Sequence, residues 1–222
     1  MRFRAFLLSL LLLTNGAAAL AEEVIRSFRA DIEIARSGVV TTSEAITIVA
    51  EGQRFKHGIY RDLALKPAFA GEPASLLEVE SVTRDGRPEP YRVEDRDGDK
   101  RIYVGSADVA LPPGEHDYVI TYRTDNRFRP AGANDMYAAH ITGTWDFRIG
   151  AAEARITLPE GASMLGTQQH AGTADSELDF VEVTTDGRVT TFRATRPLQP
   201  GEWLAVKFLV PAGIVARPVP AQ

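Results

Sequence analysis

The 222-residue chain contains no cysteine. That excludes disulfides, a lipoprotein anchor, thiolate metal sites and a cysteine nucleophile, so stability has to come from a packed core. After Ala21 no apolar run approaches the roughly 20 residues that a membrane-spanning helix needs. Histidine is scarce: His57, His116, His140 and His170 are the four in the chain, and none is paired with another at helical spacing. No Gly-x-Ser-x-Gly or His-Glu-x-x-His occurs, so the linear signatures of serine and zinc hydrolases are missing, and nothing in the sequence names a cofactor. A basic excess is missing too. Lys and Arg number 25 against 30 Asp and Glu, a formal charge of −5 that is spread rather than blocky, which argues against nucleic acid as a partner.

What is present begins with a targeting segment. Arg2 and Arg4 form a basic n-region, Ala5 to Leu13 an apolar stretch, and Ala19-Leu20-Ala21 a small-residue cleavage site. Thr14, Asn15 and Gly16 interrupt the apolar run, which favours an export signal over an anchor helix. Residues 1–21 are therefore expected to be a cleaved signal peptide, 22–215 the folded domain and 216–222 a flexible, proline-containing tail. The expected location is periplasmic or extracellular. Cleavage removes two arginines, which takes the formal charge from −5 to −7.

The mature chain alternates like strands. Phe28, Ala30, Ile32 and Ile34 are apolar while Arg29, Asp31 and Glu33 between them are polar, and Val39 to Ala50 follows the Arg36-Ser37-Gly38 turn, which predicts an antiparallel hairpin over Val24 to Ala50. Glu44 lies on an apolar face of that hairpin and calls for a place at the sheet margin or an ion-pair partner. Further strands are predicted over Leu76–Thr83, Glu89–Glu94, Arg101–Val104, His116–Arg123, Ala154–Leu158, Phe180–Thr184, Val189–Ala194 and Trp203–Val210. Glu51 to Gly71 reads as a long loop or a helical turn, Gly161 to Asp175 as a loop, and Thr124 to Gly150 as irregular. Asp97-Gly98 suits a hairpin turn, and the surrounding Asp95, Asp97 and Asp99 do not follow the order of an EF-hand calcium loop. Pro113-Gly114 suits a type II turn. This pattern predicts an all-β fold, an antiparallel, immunoglobulin-like β-sandwich, built as one large sandwich or as two small packed modules, 22–125 and 126–215. Tyr118 is the candidate for a tyrosine corner, whose hydroxyl would bond to upstream backbone. A repeated Val-Thr-x-Asp-Gly-Arg (from Val82 and from Val183) and a repeated Leu-x-Pro-Gly-Glu (ending at Glu115 and Glu202) raise the two-module option. The shifted apolar face after the second copy argues for reused turn chemistry instead.

The densest polar cluster is Lys56 to Asp62, within the expected loop. His57, Tyr60, Arg61 and Asp62, together with Trp145 and Asp146, form the candidate ligand surface, and close approach of the two groups is the expectation that carries it. A loop pinned by ion pairs and a packed Tyr60 would use the same residues structurally.

Gly58-Ile59-Tyr60-Arg61-Asp62, the run from Ser81 through Asp85-Gly86 to Tyr91-Arg92-Val93, Ile102-Tyr103-Val104-Gly105, Leu111-Pro-Pro-Gly-Glu115-His116 to Tyr122-Arg123 and Trp145-Asp146-Phe147 together resemble the N-terminal region of predicted bacterial membrane proteins, domain of unknown function 2207. The resemblance covers nearly all of the mature chain and carries no catalytic signature. Ala138-Ala139-His140 stands where the family pattern has an aromatic followed by Asn, and the cysteine pair of many relatives has no counterpart in Gln168 to Asp175. Relatives continue into transmembrane helices, so the chain reads as a free extracytoplasmic version of an ectodomain or as a fragment of a longer one. The absence of catalytic signatures and the sandwich-like strand pattern favour a non-catalytic binding or scaffold module whose expected partner is an envelope or membrane protein. The alternative is an envelope hydrolase of glycan or peptide, acting through carboxylates distant in sequence.

Overall fold

The structure, a computed structural model, describes residues 22–66, 74–125, 127–176 and 180–217. The expected signal peptide, residues 1–21, lies outside the described residues. Fifteen strands follow in order: β1 (Val24–Ile34), β2 (Val40–Ala50), β3 (Ile59–Leu63), β4 (Leu77–Arg84), β5 (Arg87–Pro88), β6 (Tyr91–Arg96), β7 (Asp99–Val104), β8 (Gly114–Thr124), β9 (Phe128–Ala131), β10 (Asn134–His140), β11 (Ile149–Thr157), β12 (Leu165–Gly172), β13 (Val181–Asp186), β14 (Val189–Ala194) and β15 (Trp203–Pro211). No helix occurs among the described residues.

The strands form three sheets: eight in the order β13-β14-β11-β1-β2-β8-β4-β5, four in the order β12-β15-β10-β9, and three in the order β3-β7-β6. All pairings are antiparallel except β1 with β11, which run parallel from Ile25↔Ile149 to Glu33↔Thr157. That pairing puts strands from before and after residue 125 into one sheet. The β1–β2 hairpin forms in the register its alternation dictates, Phe28 opposite Ile46 and Ile32 opposite Thr42. One face of the large sheet is apolar, with Phe28, Ile32, Ile46, Ile48, Tyr118, Ile120, Ala154 and Phe192 all buried. The smaller sheets contribute Ile59, Ile102, Val104, Tyr137, Val206 and Phe208 to the same core. Each fully buried large apolar side chain stabilises the fold by about 1.5–3 kcal/mol, enough to make the lack of disulfides unimportant.

Turn chemistry explains most chain reversals. Asp85-Gly86 and Asp97-Gly98 are two-residue loops with positive φ at both positions (52° and 73°, 55° and 91°), the type I′ pattern that Asp-Gly favours. The second Asp-Gly-Arg copy folds differently: Asp186 ends β13, and Gly187 (φ 56°) with Arg188 forms the loop. The Pro-Gly copies diverge as well. Gln199 to Glu202 closes a turn with a 2.9 Å hydrogen bond and Gly201 at φ 85°, as type II requires, whereas Gly114 (φ 132°) is already the first residue of β8. The echo is thus reuse of turn residues in different registers.

Three stretches expected to lack regular structure contain strands: β3 within 51–71, β9 and β10 within 124–150, and β12 within 161–175. All are short or rich in small and polar residues, so their alternation is weak. At the C-terminal end, the Ala216 N–H donates to the Arg36 carbonyl at 2.8 Å and Arg217 pairs with Asp135 at 2.6 Å, so the first two residues of the expected flexible tail are held in place.

Candidate functional site

β3 decides which candidate residues face solvent. Along Ile59-Tyr60-Arg61-Asp62-Leu63 burial alternates strictly, with Ile59, Arg61 and Leu63 turned inward and Tyr60 and Asp62 outward. Arg61 is therefore a core residue, 2% exposed, and its partner is the equally buried Glu44. Arg61 Nε and Nη2 donate to the two Glu44 carboxylate oxygens at 2.7 and 2.9 Å. Nη2 also donates to the Ile141 carbonyl at 2.6 Å, Nη1 to the Asp62 carbonyl at 2.5 Å, and the Tyr122 hydroxyl to Glu44 at 2.7 Å. Burial alone would lower the Arg61 pKa, but the Glu44 charge and hydrogen bonds outweigh it and raise it. The Glu44–Arg61 pair bolts the three-stranded sheet to the large one. Arg61 is thus removed from the candidate ligand surface, because a five-residue strand occupies what reads as a loop.

The outward face of β3, β7 and β6 carries a row of aromatic and guanidinium groups. Register sets it: Tyr60 and Arg92 lie on either side of Tyr103, and Asp62 and Glu94 on either side of Arg101. Arg101 lies over the Tyr60 ring at 4.0 Å and Arg92 over the Tyr103 ring at 3.8 Å. Asp62 accepts from Arg101 Nε and Nη2 at 2.5 and 2.6 Å. That bond first, with a bond to Tyr103, holds the Arg101 pKa above its ordinary value, and the bond with Arg101 is what chiefly holds the Tyr103 pKa below its own. Tyr60, 39% exposed, also stacks on Trp145 with centroids 6.3 Å apart and planes 16° apart. The two clusters picked out in the sequence therefore do meet, at Tyr60 and Trp145. Trp145 itself is only 6% exposed and donates its indole N–H to the Thr142 carbonyl at 2.7 Å, so it acts as the base on which Tyr60 rests.

Above this row a short loop is clamped by one carboxylate. Glu23 Oε1 accepts the backbone N–H groups of Glu51 and Gln53 at 2.9 and 3.0 Å, and Oε2 those of Arg54 and Phe55 at 2.7 and 3.3 Å. Burial would raise the Glu23 pKa, yet these donors together lower it. The clamp sets Arg54, which donates to the Asp146 carbonyl at 3.0 Å, approaches its carboxylate at 3.7 Å and lies 4.1 Å over the Phe147 ring. His57 Nδ1 lies 3.0 Å from the Val109 carbonyl. Gly58 and Gly105 allow the backbones to cross: a Cβ on either would come within 1.9 or 2.0 Å of a carbonyl oxygen of the other segment. The resulting pocket, about 340 Å³, is lined by Arg54, Lys56, His57, Tyr60, Arg92 and Tyr103 among others, with no carboxylate among them.

Sequence reasoning missed Arg92, Arg101, Tyr103, Arg54 and Glu23. The polar, aromatic alternation of Arg101-Ile-Tyr103-Val was the available signal, since its outward residues are as notable as its inward ones. The Asp95–Asp99 run is fully engaged in local structure: Asp95 accepts from Gly98 N–H and Lys100, Asp97 pairs with Lys66, and Asp99 accepts from Leu65 and Lys66 N–H. No group of three potential metal ligands is assembled among the described residues. His116 is nearly buried between two acceptors, Asp85 and the Pro112 carbonyl, each 2.9 Å away. Tyr118 does not form a tyrosine corner. Its ring is buried, which pushes its pKa up, and its hydroxyl has no hydrogen-bond partner. The tyrosine with the structural hydrogen bond is Tyr122, four residues on, through Glu44.

Comparison with known proteins follows the same lines. The chain is 31% identical over 183 residues to the Escherichia coli (strain K12) protein YciQ, an alignment covering 81% of this chain and 27% of YciQ. It thus spans 27% of that relative's length. Two solved structures of yeast leukotriene A4 hydrolase are similar in fold: the native enzyme from Saccharomyces cerevisiae has a TM-score of 0.55 at 11% identity, covering 84% of this chain and 29% of that one. The enzyme in complex with bestatin has a TM-score of 0.54 at 10% identity, covering 84% and 28%. At such identity the likeness is one of fold alone. Residues 24–210, most of the chain, match the predicted membrane protein (DUF2207) N-terminal domain, and with the YciQ similarity this shows that the chain belongs to that family.

Proposed function

We propose that this chain is a non-catalytic binding module of the cell envelope, acting in the periplasm or outside the cell, and that its ligand surface is the outward face of β3, β7 and β6. The carrying observation is the stacked row Trp145, Tyr60, Arg101, Tyr103, Arg92 on an exposed, rigid sheet, with the cationic 340 Å³ pocket beside it. Stacked Tyr and Arg side chains have little rotamer freedom left to lose, and such residues dominate binding energy at protein interfaces. Asp62 and Glu94, on either side of Arg101 on this face, are each matched by a cation, Asp62 by Arg101 and Glu94 by Arg92. That arrangement supports recognition rather than carboxylate chemistry. As in an immunoglobulin-like sandwich, a packed β platform would present the surface. The expected partner is an envelope or membrane protein offering carboxylates and aromatic groups to the pocket and row. Crosslinking with mass spectrometry in the native envelope, comparing wild type with Tyr103→Ala and Arg92→Ala, tests this. Loss of a specific crosslinked partner in both variants is expected, and an unchanged set of partners would refute it.

A further inference from the structure

The four-stranded sheet carries a second feature that the binding face does not use. A groove of about 520 Å³ runs over β12, β15 and β10 and is lined by Lys66, Arg127, Arg129, His140, His170 and Lys207, with alanines, glutamines and one valine as its remaining walls. None of these lining residues is acidic, in a chain where Asp and Glu outnumber Lys and Arg 30 to 25. The register produces the concavity. His140 and His170 stand opposite Ala205 from its two sides, and Ala138 and Gln168 stand opposite Lys207. Small side chains on the middle rows leave room between the cationic ones.

Arg127 donates to the carbonyls of Ala64 and Ala138 at 3.1 and 3.3 Å, which fixes the guanidinium and leaves its charge in place. Lys207 is exposed. Lys66 stands at the rim, where Asp97 pairs with it at 2.6 Å. His140 and His170 flank Trp203, each with its centroid 5.6 Å from the indole. His170 Nε2 is buried and has no hydrogen-bond partner, a donor or acceptor position left for something else. Burial, then Arg61 and His170, hold the His140 pKa below the ordinary imidazole value.

We propose that this groove is an anion site for a ligand carrying two or more phosphate groups. Guanidinium forks and lysine ammonium groups spread over such a volume match several charged oxygens better than one small ion. The phosphates could belong to a free organic phosphate or to lipid headgroups, and the same chemistry serves both.

Calorimetric titration with tripolyphosphate at low ionic strength tests the site, with Trp203 fluorescence as a second readout because its ring is flanked by the two imidazoles. Lys207→Gln is the informative variant, since an exposed side chain can be changed without disturbing the fold; it is expected to bind about tenfold more weakly. Arg193→Gln, exposed on β14 of the large sheet and part of neither site, is expected to bind as wild type. Citrate at equal concentration is expected to compete poorly. Vesicles containing phosphatidylglycerol divide the sources: association that tripolyphosphate reverses assigns the headgroup, and soluble binding without association assigns the free phosphate. The proposal is overturned if tripolyphosphate does not bind, if Lys207→Gln binds as tightly as wild type, if Arg193→Gln weakens binding equally, or if citrate competes as well as the phosphate. None of these outcomes depends on the partner face, which is read by crosslinking.

Discussion

Arg61→Met is the substitution whose cost can be worked out most fully. Arg61 and Glu44 are 2% and 1% exposed, so neither can return to water without opening the interface between sheets. Removing the guanidinium takes two hydrogen bonds from Glu44 and one from the Ile141 carbonyl, and leaves a buried carboxylate supported only by the Tyr122 hydroxyl. Breaking such a pair from one side costs about 3–5 kcal/mol. A domain of ordinary stability, about 5–15 kcal/mol, would lose a large fraction of it. Removing both charges is different in kind. Glu44→Leu with Arg61→Met leaves no buried ion, and much of the loss should return; the Tyr122 hydroxyl, orphaned by this pair, would need Tyr122→Phe as a third change. Urea unfolding of wild type, both single variants and the double variant closes a cycle whose coupling term isolates the pair. A single-variant cost below about 1 kcal/mol would refute a structural role for the pair. So would loss of partner binding at unchanged stability, which would return Arg61 to the ligand surface.

Three further outcomes follow from local geometry. Glu23→Gln should loosen residues 51–55, seen as faster amide hydrogen exchange there. Because the folded pKa of Glu23 is lowered, its contribution is present above the ordinary glutamate value of about 4.3 and is lost as pH falls through the folded pKa, so the stability gap between wild type and Glu23→Gln should narrow on acidification below about pH 4. Tyr118→Phe removes a buried hydroxyl that bonds to nothing, so its thermal midpoint should stay level or rise, whereas a tyrosine corner would make it fall clearly. Gly105→Ala sets a Cβ 2.0 Å from the His57 carbonyl at φ 111°, and a loss of at least about 3 kcal/mol in chemical unfolding is expected.

The β1–β2 hairpin of the large sheet and β15 of the four-stranded sheet were the legible parts of this fold. Phe28 to Ile34, Val40 to Ala50 and Trp203 to Val210 alternate over long runs with branched or aromatic residues on one side, and the period alone orients them. β10 and β12 were not legible, because Asn134-Asp-Met-Tyr-Ala-Ala-His140 and Leu165-Gly-Thr-Gln-Gln-His-Ala-Gly172 offer few apolar residues, and pairing with β15 rather than local propensity makes them strands; four-residue β9 depends in turn on β10. The binding face was half legible. Tyr60 and Trp145 were found as unusual residues, but the inward turn of Arg61 follows from a five-residue strand too short to show its period, flanked by Gly58. Glu44 was recognised as needing a partner, while the partner's identity depended on a contact between sheets that no linear spacing encodes. The parallel β1–β11 pairing has the same origin: it joins residues more than a hundred positions apart, and nothing in either strand's pattern names the other.

The most direct test of the central claim is site-specific photocrosslinking in the native envelope. A photoreactive residue at position 60, in the stacked row, is compared with one at position 193, exposed on β14 of the large sheet. A discrete crosslinked species from position 60 that is missing from position 193 and lost on adding Arg92→Ala is the predicted result. Equal labelling from both positions, or labelling from position 193 alone, would contradict the assignment of the β3-β7-β6 face as the ligand surface.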